Sequence, residues 1–287
     1  MSSRIRYNDP KSDGSLGSAY HLEMLLDQAR VKPFENAIRR TCPGKRVLES
    51  GTGSGIMSLF ALSAGAERVY ATEIDPRMAA VARENFRLSG MGNRIKLIER
   101  DTRAVTLDDL DGEPVDVAIA ENLSTWEVTE PQISIMNHIN AYLMRKGGIA
   151  LPEVAFNTLE LAYAQYEFAD GMVGLKTHSF GFTGIPPPEI LSEAIVFRHV
   201  DFREQQGTEV TAEIAVPVTK DGLLNSIRCT SPLQIYQDIH FQSSDSLMPP
   251  VTVPLENERA VSAGETIRLQ IYYPYGTAWE LFRCRII

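Results

Sequence analysis

Two glutamates, Glu121 and Glu130, lie nine positions apart in the segment ENLSTWEVTE, which follows a short apolar run. Paired carboxylates can hold a guanidinium ion, draw its charge toward the nitrogens they contact and orient the third nitrogen for reaction. A third acid, Glu127, lies between the two and can take the role of the second carboxylate instead of Glu130. The segment is therefore a candidate site for a cationic group, with the second acid left open.

A second group of residues surrounds a glycine-rich turn. The stretch VLESGTGSG places Glu49 at the end of an apolar run, and Gly51, Gly53 and Gly55 follow at every second position. A helix-like segment and another apolar run then lead to Glu73. Glycines permit positive φ angles and let a ligand lie against the backbone. This order of elements is typical of the nucleotide-binding half of an open α/β sheet.

The position of the first acid distinguishes between two kinds of nucleotide. A dinucleotide site reads G-x-G-x-x-G, so that a helix N-terminus faces a pyrophosphate. Glu49 precedes the first glycine by two residues and would repel that group. S-adenosylmethionine carries an ammonium, a sulfonium and no phosphate, and Glu73 is placed to accept hydrogen bonds from its ribose. The turn therefore predicts S-adenosylmethionine, and an α/β turn without a ligand is the alternative.

Alternating helices and strands must bring these acids together. Apolar spacing predicts a helix over 18–40 that Pro33 bends or divides, and further helices are expected from Ile56, over Pro76–Ser89 and over Gln132–Arg145. A repeating β-α-β order implies a mostly parallel, Rossmann-like sheet. Its strands are expected at Val47–Glu49, Val69–Glu73, Ile95–Glu99, Val115–Ala120 and Ile149–Leu151.

The character of the chain changes after Pro152. Alternating apolar segments separated by turns predict an antiparallel β-barrel or sandwich. We expect a flexible segment over 1–17, a cofactor-binding domain over 18–151 and a β-barrel-like domain over 152–287 for substrate binding and dimerisation. The segments predicted as strands are Phe156–Tyr163, Ala194–Phe202, Glu209–Val216, Thr266–Tyr273 and Trp279–Ile287.

Composition excludes several classes of protein. No apolar run approaches the roughly 18 residues of a membrane span, and the N-terminal sequence lacks a signal-peptide core. Cys42, Cys229 and Cys284 are far apart and odd in number, so we expect free thiols in the cytoplasm and no metal site. A formal charge of −9 argues against nucleic-acid binding and permits a cationic substrate.

These motifs, taken together, resemble the protein arginine methyltransferase family of class I S-adenosylmethionine-dependent methyltransferases. The lead-in helix HLEMLLDQAR carries His21, Met24 and Arg30, and is similar to the family segment before motif I. VLESGTGSG looks like motif I, VYATEID like the next strand with its ribose-binding acid, and Glu121 and Glu130 like the double-E loop. Ile239-His240-Phe241 stands where the family has a Thr-His-Trp loop. The resemblance covers residues 20–165 well and the β region more loosely.

The resemblance implies a role for each matching residue. In the cofactor site, Arg30 would pair with the methionine carboxylate, Glu49 would lie by the amino group and Glu73 would hold the ribose. In the acceptor site, Glu121 and Glu130 would clamp a guanidinium. The other implied positions are His21 and Met24 in the lead-in helix, Gly51 and Gly53 against the cofactor, Asp101 or Thr102 near the adenine edge, and His240 bordering the acceptor site.

Departures from the family pattern concern the acceptor and the oligomer. DPKSDGSLGSAY replaces a tyrosine-rich segment, Leu123-Ser124 replaces Met-Gly in the double-E loop, and the stretch from Pro152 to Phe197 has room only for a shortened dimerisation arm. The chain therefore resembles a short, divergent member. Its acceptor can be an amino acid, a peptide or another small molecule, and a homodimer is permitted.

The predicted function is S-adenosylmethionine-dependent N-methylation of a guanidino nitrogen of arginine or an arginine-like molecule. The methyl group would move by in-line transfer, and Glu130 or His240 would pass the released proton to water as a weak general base. One alternative keeps the cofactor and methylates O, N or C of another small molecule. A second alternative is a non-catalytic binding subunit that retains the fold.

Overall fold

The fold is taken from a computed structural model that describes residues 18–242 and 248–287. The segment 1–17, which the sequence predicts to be flexible, lies outside the described residues. The predicted order of a mostly parallel α/β sheet followed by an antiparallel part is confirmed.

Five parallel strands form the first sheet, in the spatial order β3-β2-β1-β4-β5. Strand β4 is buried at all six positions, as expected for a strand that helices cover on both faces. The order reverses at β1, so the space beyond the ends of β1 and β4 is the expected ligand crevice. The strands are β1 (Arg46–Ser50), β2 (Arg68–Thr72), β3 (Ile95–Ile98), β4 (Val115–Ala120) and β5 (Met144–Leu151).

The predicted helix over 18–40 is divided, but at Asp27 and not at Pro33. The Asp27 side chain accepts a hydrogen bond from the Arg30 backbone N–H at 3.2 Å and so caps the second helix, while Pro33 lies inside that helix. None of the helices among the described residues is long and apolar enough to cross a membrane. The helices are α1 (Ser18–Leu26), α2 (Gln28–Thr41), α3 (Ile56–Ser63), α4 (Pro76–Ser89) and α5 (Gln132–His138).

The helix predicted over Gln132–Arg145 ends earlier than expected. It continues from α5 into one π-helical turn at Ile139–Leu143, and strand β5 already starts at Met144. Strand β5 tolerates Gly147, with φ of 74°, because its pairing with β4 has a register shift between Val115 and Val117. Because of Gly147 and Gly148, the first half of strand β5 lacks an apolar strand pattern and was not predicted from the sequence.

The rest of the chain is antiparallel. Eight strands form a curled sheet around β6, three strands (β12, β17, β18) form a second sheet, and β7 pairs with β8. The strands are β6 (Val154–Tyr163), β7 (Glu167–Phe168), β8 (Val173–Gly174), β9 (Ser179–Phe180), β10 (Glu189–Ile190), β11 (Ile195–Asp201), β12 (Glu209–Pro217), β13 (Gly222–Thr230), β14 (Leu233–Tyr236), β15 (Ile239–Phe241), β16 (Val251–Val261), β17 (Thr266–Pro274) and β18 (Arg283–Ile286).

The parallel sheet ends at Leu151 and the antiparallel part begins at Val154. One hydrophobic cluster nevertheless runs through both parts of the chain. Phe202 at the end of β11 and Trp126 after β4 are both completely buried in it. The division into a cofactor-binding domain over 18–151 and a β-barrel-like domain over 152–287 stays a prediction.

Candidate active site

A cavity of about 420 Å³ lies where the parallel sheet reverses its order. Its walls come from the ends of strands β1, β2 and β4, from helix α1 and from the segment after β3. Nine of the predicted site residues line it: His21, Met24, Arg30, Gly51, Glu73, Asp101, Thr102, Glu121 and Glu130. A smaller space of about 50 Å³ shares five of these residues and adds Glu49 and Gly53.

The glycine turn fits tightly under helix α1. Gly53 has φ of 53°, and a Cβ atom at that position would lie 2.8 Å from Nδ1 of His21. Gly51 has φ of 67°, and a Cβ atom there would lie 2.6 Å from the Asn122 side-chain nitrogen. Both positions therefore require glycine for conformation and for space. The turn therefore lies against the His21 side chain at Gly53 and against the Asn122 side chain at Gly51.

Glu49 lies deep in the turn. Its Oε2 accepts hydrogen bonds from the hydroxyls of Thr52, at 2.6 Å, and Ser58. Burial, helped by nearby Glu73 and opposed by the hydrogen bonds from Ser58 and Thr52, raises the pKa of Glu49 to about 7. The acid therefore titrates near neutrality. A bound ammonium group would favour its charged form.

Glu73 closes the turn from the end of β2. Its two carboxylate oxygens accept hydrogen bonds from the backbone N–H groups of Gly53, at 2.8 Å, and Asp75, at 2.9 Å. Each oxygen keeps a second lone pair for a ligand hydroxyl. Burial lowers the pKa of His21, which faces Glu73 and Asp75, so the imidazole is neutral near pH 7.

Arg30 connects the two halves of the site. Its guanidinium is buried, and its Nη2 forms an ion pair with Oε1 of Glu121. The Nε and Nη1 donors are also buried, and neither has a hydrogen-bond partner among the described residues. Burial lowers the Arg30 pKa, while Tyr20, Asp27 and Glu130 oppose that effect. These two N–H donors lie on the planar guanidinium and suit a carboxylate. Arg30 can therefore bind the carboxylate of a cofactor that contains an amino-acid group.

Asp101 and Thr102 line the cavity in different ways. The Thr102 hydroxyl belongs to a buried chain, with Ser50 at 2.8 Å and Thr72 at 2.6 Å, and this chain joins three strand ends. Asp101 forms a two-point ion pair with Arg103, which lowers the Asp101 pKa. Thr102 therefore fixes the cavity wall, and Asp101 presents an anionic edge.

The segment after β4 separates its three acids. Glu121 and Glu130 both line the large cavity, whereas Glu127 is completely buried and bonds to Asn157 of strand β6. Burial raises the pKa of Glu130, and Arg30 opposes the rise. Glu130, and not Glu127, is the acid that shares the cavity with Glu121.

A further space of about 80 Å³ adjoins the large cavity at Glu130. The two spaces share Tyr20, Leu123, Thr129 and Glu130. The antiparallel part contributes mainly apolar and aromatic walls here, from Phe180, Met248, Pro249, Val251 and Trp279. An acceptor with a cationic head and an apolar stem fits this lining.

The expectation that His240 borders the acceptor site is wrong for this structure. His240 lies in edge strand β15 between buried Ile239 and Phe241, so strand alternation turns its side chain into solvent. It pairs with Gln234 in the ladder and does not line the cavities described above. Met248 and Pro249 line the space at Glu130 instead.

The sequence analysis also missed residues that line or support the cavity. Tyr20 lines both the large cavity and the space beyond Glu130. Asn122 accepts a hydrogen bond from Ser50 at 3.0 Å, and its backbone N–H donates to Gln132. Only their places in the sequence could have pointed to them: Asn122 directly follows the strand-end acid Glu121, and Tyr20 directly precedes His21.

Comparison with known proteins agrees with this geometry. The sequence model of the family described as ribosomal protein L11 methyltransferase (PrmA) matches residues 31–152. An uncharacterized protein from Methanocaldococcus jannaschii is 30% identical over 93% of this chain and 96% of its own length. An arginine N(omega)-methyltransferase from Streptomyces achromogenes subsp. streptozoticus is 27% identical over 93% of this chain and 78% of its own.

The fold has a close structural counterpart as well. The Trypanosoma brucei PRMT1 enzyme–prozyme complex with AdoHcy contains a chain that matches with a TM-score of 0.72 and 18% identity, over 88% of this chain and 86% of that one. The chain belongs to the arginine methyltransferase-like class I S-adenosylmethionine-dependent methyltransferases. This methyltransferase uses S-adenosylmethionine as its cofactor. The unused donors of Arg30 and the near-neutral acid Glu49 fit the carboxylate and ammonium ends of that cofactor.

Proposed function

We propose that this methyltransferase transfers a methyl group to a guanidino nitrogen of arginine or of an arginine-like molecule. The observation that carries the proposal is that Glu121 and Glu130 line one cavity together with the residues that fit the cofactor. The similarity to an arginine N(omega)-methyltransferase supports the same acceptor. Arg30, Glu49 and Glu73 are the proposed cofactor contacts.

The two acids are proposed to hold the acceptor guanidinium. A guanidinium presents five N–H donors in a planar fork, and two carboxylates can bind it from two sides. Contact with Glu121 and Glu130 draws the positive charge toward the nitrogens they bind and leaves the third nitrogen more nucleophilic. The cofactor, when bound, supplies an electrophilic methyl group for in-line displacement.

Glu130 is the proposed acceptor for the proton that the guanidinium loses. Burial raises the pKa of Glu130, which makes its carboxylate a better base than an exposed glutamate. Arg30 opposes this rise. Glu121 is ion-paired with Arg30 and therefore suits an orienting role more than a basic one.

The decisive experiment measures product by mass spectrometry with S-adenosylmethionine and a panel of arginine, an arginine peptide and agmatine. The wild-type protein should methylate at least one of these guanidines. Glu121→Gln and Glu130→Gln should each lower kcat by about 100-fold or more, because each removes charge from the transition-state site.

The matched control is Glu113→Gln, since the Glu113 side chain is 72% exposed and lies outside the cavities that hold the paired acids. That variant should keep wild-type activity. If none of the tested guanidines is methylated and an alcohol or an amine is turned over, the guanidine assignment is overturned.

One observation favours the second candidate function, methylation of another small molecule. Arg30 engages Glu121, so a single unpaired carboxylate, Glu130, faces the acceptor space. One carboxylate suits an amine. If that function holds, Glu121→Gln should retain most of the activity, whereas a guanidinium clamp should lose nearly all of it.

A homodimer and a cytoplasmic location are also proposed. Large apolar side chains are exposed along one stretch of the antiparallel part, where a second copy of the chain could cover them; they are Phe168, Met172, Val173, Leu175, Phe182 and Ile185. Sedimentation velocity should show a dimer, and a monomer at micromolar concentration would contradict it. Three free, buried cysteines suit a reducing compartment.

A further inference from the structure

Glu127 is the acid of the segment after β4 that the proposed chemistry does not use. It is completely buried and does not line the cavities of the site. Its φ is 54°, and that of the preceding Trp126 is 58°. Two consecutive non-glycine residues in the left-handed region are strained, so surrounding contacts must hold this conformation.

A closed ring of hydrogen bonds supplies those contacts. The Asn157 side-chain amide donates to Oε2 of Glu127 at 2.7 Å, and its Oδ1 accepts from the Ser231 hydroxyl at 2.7 Å. Oγ of Ser231 in turn accepts from the backbone N–H of Trp126 at 2.8 Å. All four residues are at most 1% exposed. The ring therefore fixes two strained residues to strand β6 and to the turn after β13.

The backbone carries this anchoring forward to Glu130. The carbonyl oxygen of Glu127 accepts a hydrogen bond from Gly276 at 3.0 Å. A Cβ atom on Gly276 would lie 3.5 Å from the backbone oxygen of Glu130, so the two backbones are in close contact. The Ser124 hydroxyl accepts from the N–H groups of Thr129 and Glu130, at 3.0 and 3.1 Å. Hydrogen bonds therefore tie the backbone at both Glu127 and Glu130 to neighbouring segments.

Charged and polar groups surround the free side of Glu127. Arg198 from β11 and the hydroxyls of Tyr273 and Tyr275 face it electrostatically, and Asn157 faces it from β6. Oε1 of Glu127 is buried without a hydrogen-bond partner among the described residues. Burial raises the pKa of Glu127 to about 8, against the effects of Asn157 and Arg198. The group is therefore mostly a neutral acid at pH 7.

We propose that Glu127 is a positioning residue, which locks the segment 126–130 onto the antiparallel sheet through Asn157 and thereby holds Glu130 in the acceptor space. The inference rests on the acceptor role proposed for Glu130. Misplacing a binding group by about 1 Å can cost about 100-fold in rate. The ring thus links the segment that carries Glu130, which follows β4 of the parallel sheet, to strand β6 of the antiparallel sheet.

Two substitutions separate positioning from simple packing. Glu127→Gln keeps the shape and the oxygen that Asn157 binds, and it mimics the neutral acid, so kcat should stay within about threefold of wild type at pH 7. Glu127→Leu removes the oxygen and leaves Asn157 without its acceptor, so kcat for the guanidine should fall by at least about tenfold. Cofactor affinity, measured by isothermal titration, should change by less than about twofold in both variants, because the cofactor residues lie elsewhere.

The pH profile gives a readout that packing alone would not move. Ionisation of Glu127 buries an additional charge in the ring, so wild-type kcat should decline above pH 8, whereas kcat of Glu127→Gln should not. Glu258→Leu is the matched control, since Glu258 is exposed on strand β16 and the same chemical change there should leave kcat unaltered.

Hydrogen–deuterium exchange tests the inference even if no guanidine is methylated. In Glu127→Leu the amides of Thr129 and Glu130 should exchange at least about tenfold faster, while those of the glycine turn stay unchanged. Wild-type kcat and exchange in a folded Glu127→Leu protein would overturn the proposal. Equal loss of cofactor and acceptor binding in Glu127→Gln would also overturn it, because that pattern indicates general unfolding.

Discussion

Arg30 and Glu121 meet as a buried ion pair between helix α2 and the end of strand β4, with side chains 3% and 9% exposed. Arg30 is the proposed partner of the cofactor carboxylate, and Glu121 is one of the two proposed acceptor acids. The guanidinium can serve both at once, because Nη2 contacts Glu121 while Nε and Nη1 keep unused donors. Cofactor and acceptor are thus connected through one side chain.

The ion pair predicts coupled effects on stability. Arg30→Met and Glu121→Gln should each lower the free energy of unfolding by about 3 kcal/mol, because each leaves a buried group without its partner. The double variant should lose clearly less than the sum of the two, as expected for residues in direct contact. Urea denaturation of the four proteins measures this. Additive losses would contradict a direct pair.

The glycine turn predicts a difference between two alanine substitutions. Gly44 and Gly53 have similar φ angles, 67° and 53°, but a Cβ atom meets nothing within 4 Å at Gly44 and meets His21 at 2.8 Å at Gly53. Gly44→Ala should therefore cost only the conformational strain, about 1 kcal/mol. Gly53→Ala should also weaken S-adenosylmethionine binding by at least about tenfold, measured by isothermal titration.

A His21→Ala background tests the cause of that loss. Removing the imidazole should restore part of the cofactor affinity of Gly53→Ala, because the clash with His21 disappears. If the two substitutions have independent effects on binding, a clash with His21 is not the reason that position 53 excludes a side chain.

Glu49 predicts a pH dependence of cofactor binding. Its pKa is raised to about 7, so the carboxylate loses its charge as pH falls through that value. The charged form attracts the ammonium end of the cofactor, and affinity should rise between pH 6 and 8. Glu49→Gln should bind more weakly at pH 8 and show a flatter profile. Equal slopes in titrations of the two proteins would show that another group controls the binding.

Glu127 predicts a pH dependence of stability. Its pKa rises from 4.5 to about 8 on folding, so the protein favours the protonated acid. The stability that protonation provides is complete below pH 4.5 and is lost as pH rises through about 8. Glu127→Gln lacks this titrating carboxyl. The difference between its Tm and the wild-type Tm should therefore increase from pH 5 to pH 8.5. A constant difference in calorimetry would show that Glu127 is ionised in the folded protein.

Local patterns were sufficient to predict the strands, the turn and the helix that surround the proposed cofactor contacts. The acids Glu49 and Glu73 end predicted strands, and the glycines between them require a turn whatever surrounds it. The helix over Pro76–Ser89 was predicted with the observed limits, because Pro76 at its start and Gly90 after its end are strong local signals. These features depend on residues that are close in the sequence.

The acceptor side depends on distant residues, and prediction there was incomplete. Both Glu127 and Glu130 follow β4, and it is the folded structure, in which Glu127 is buried and bonded to Asn157, that separates them. His240 was misplaced because its motif looked right while edge strand β15 turned it outward. No sequence period reports the positive φ angles of Trp126 and Glu127, which tertiary contacts impose.

The small space beyond Glu130 takes its walls from widely separated parts of the chain, including Phe180, Met248 and Trp279, whereas the proposed cofactor contacts all lie between residues 21 and 102. Substrate preference can therefore diverge among relatives through changes in the antiparallel part while the methyl-donor site stays intact. For engineering, this separation directs a library that seeks new acceptors to those wall positions and leaves residues 21–102 untouched.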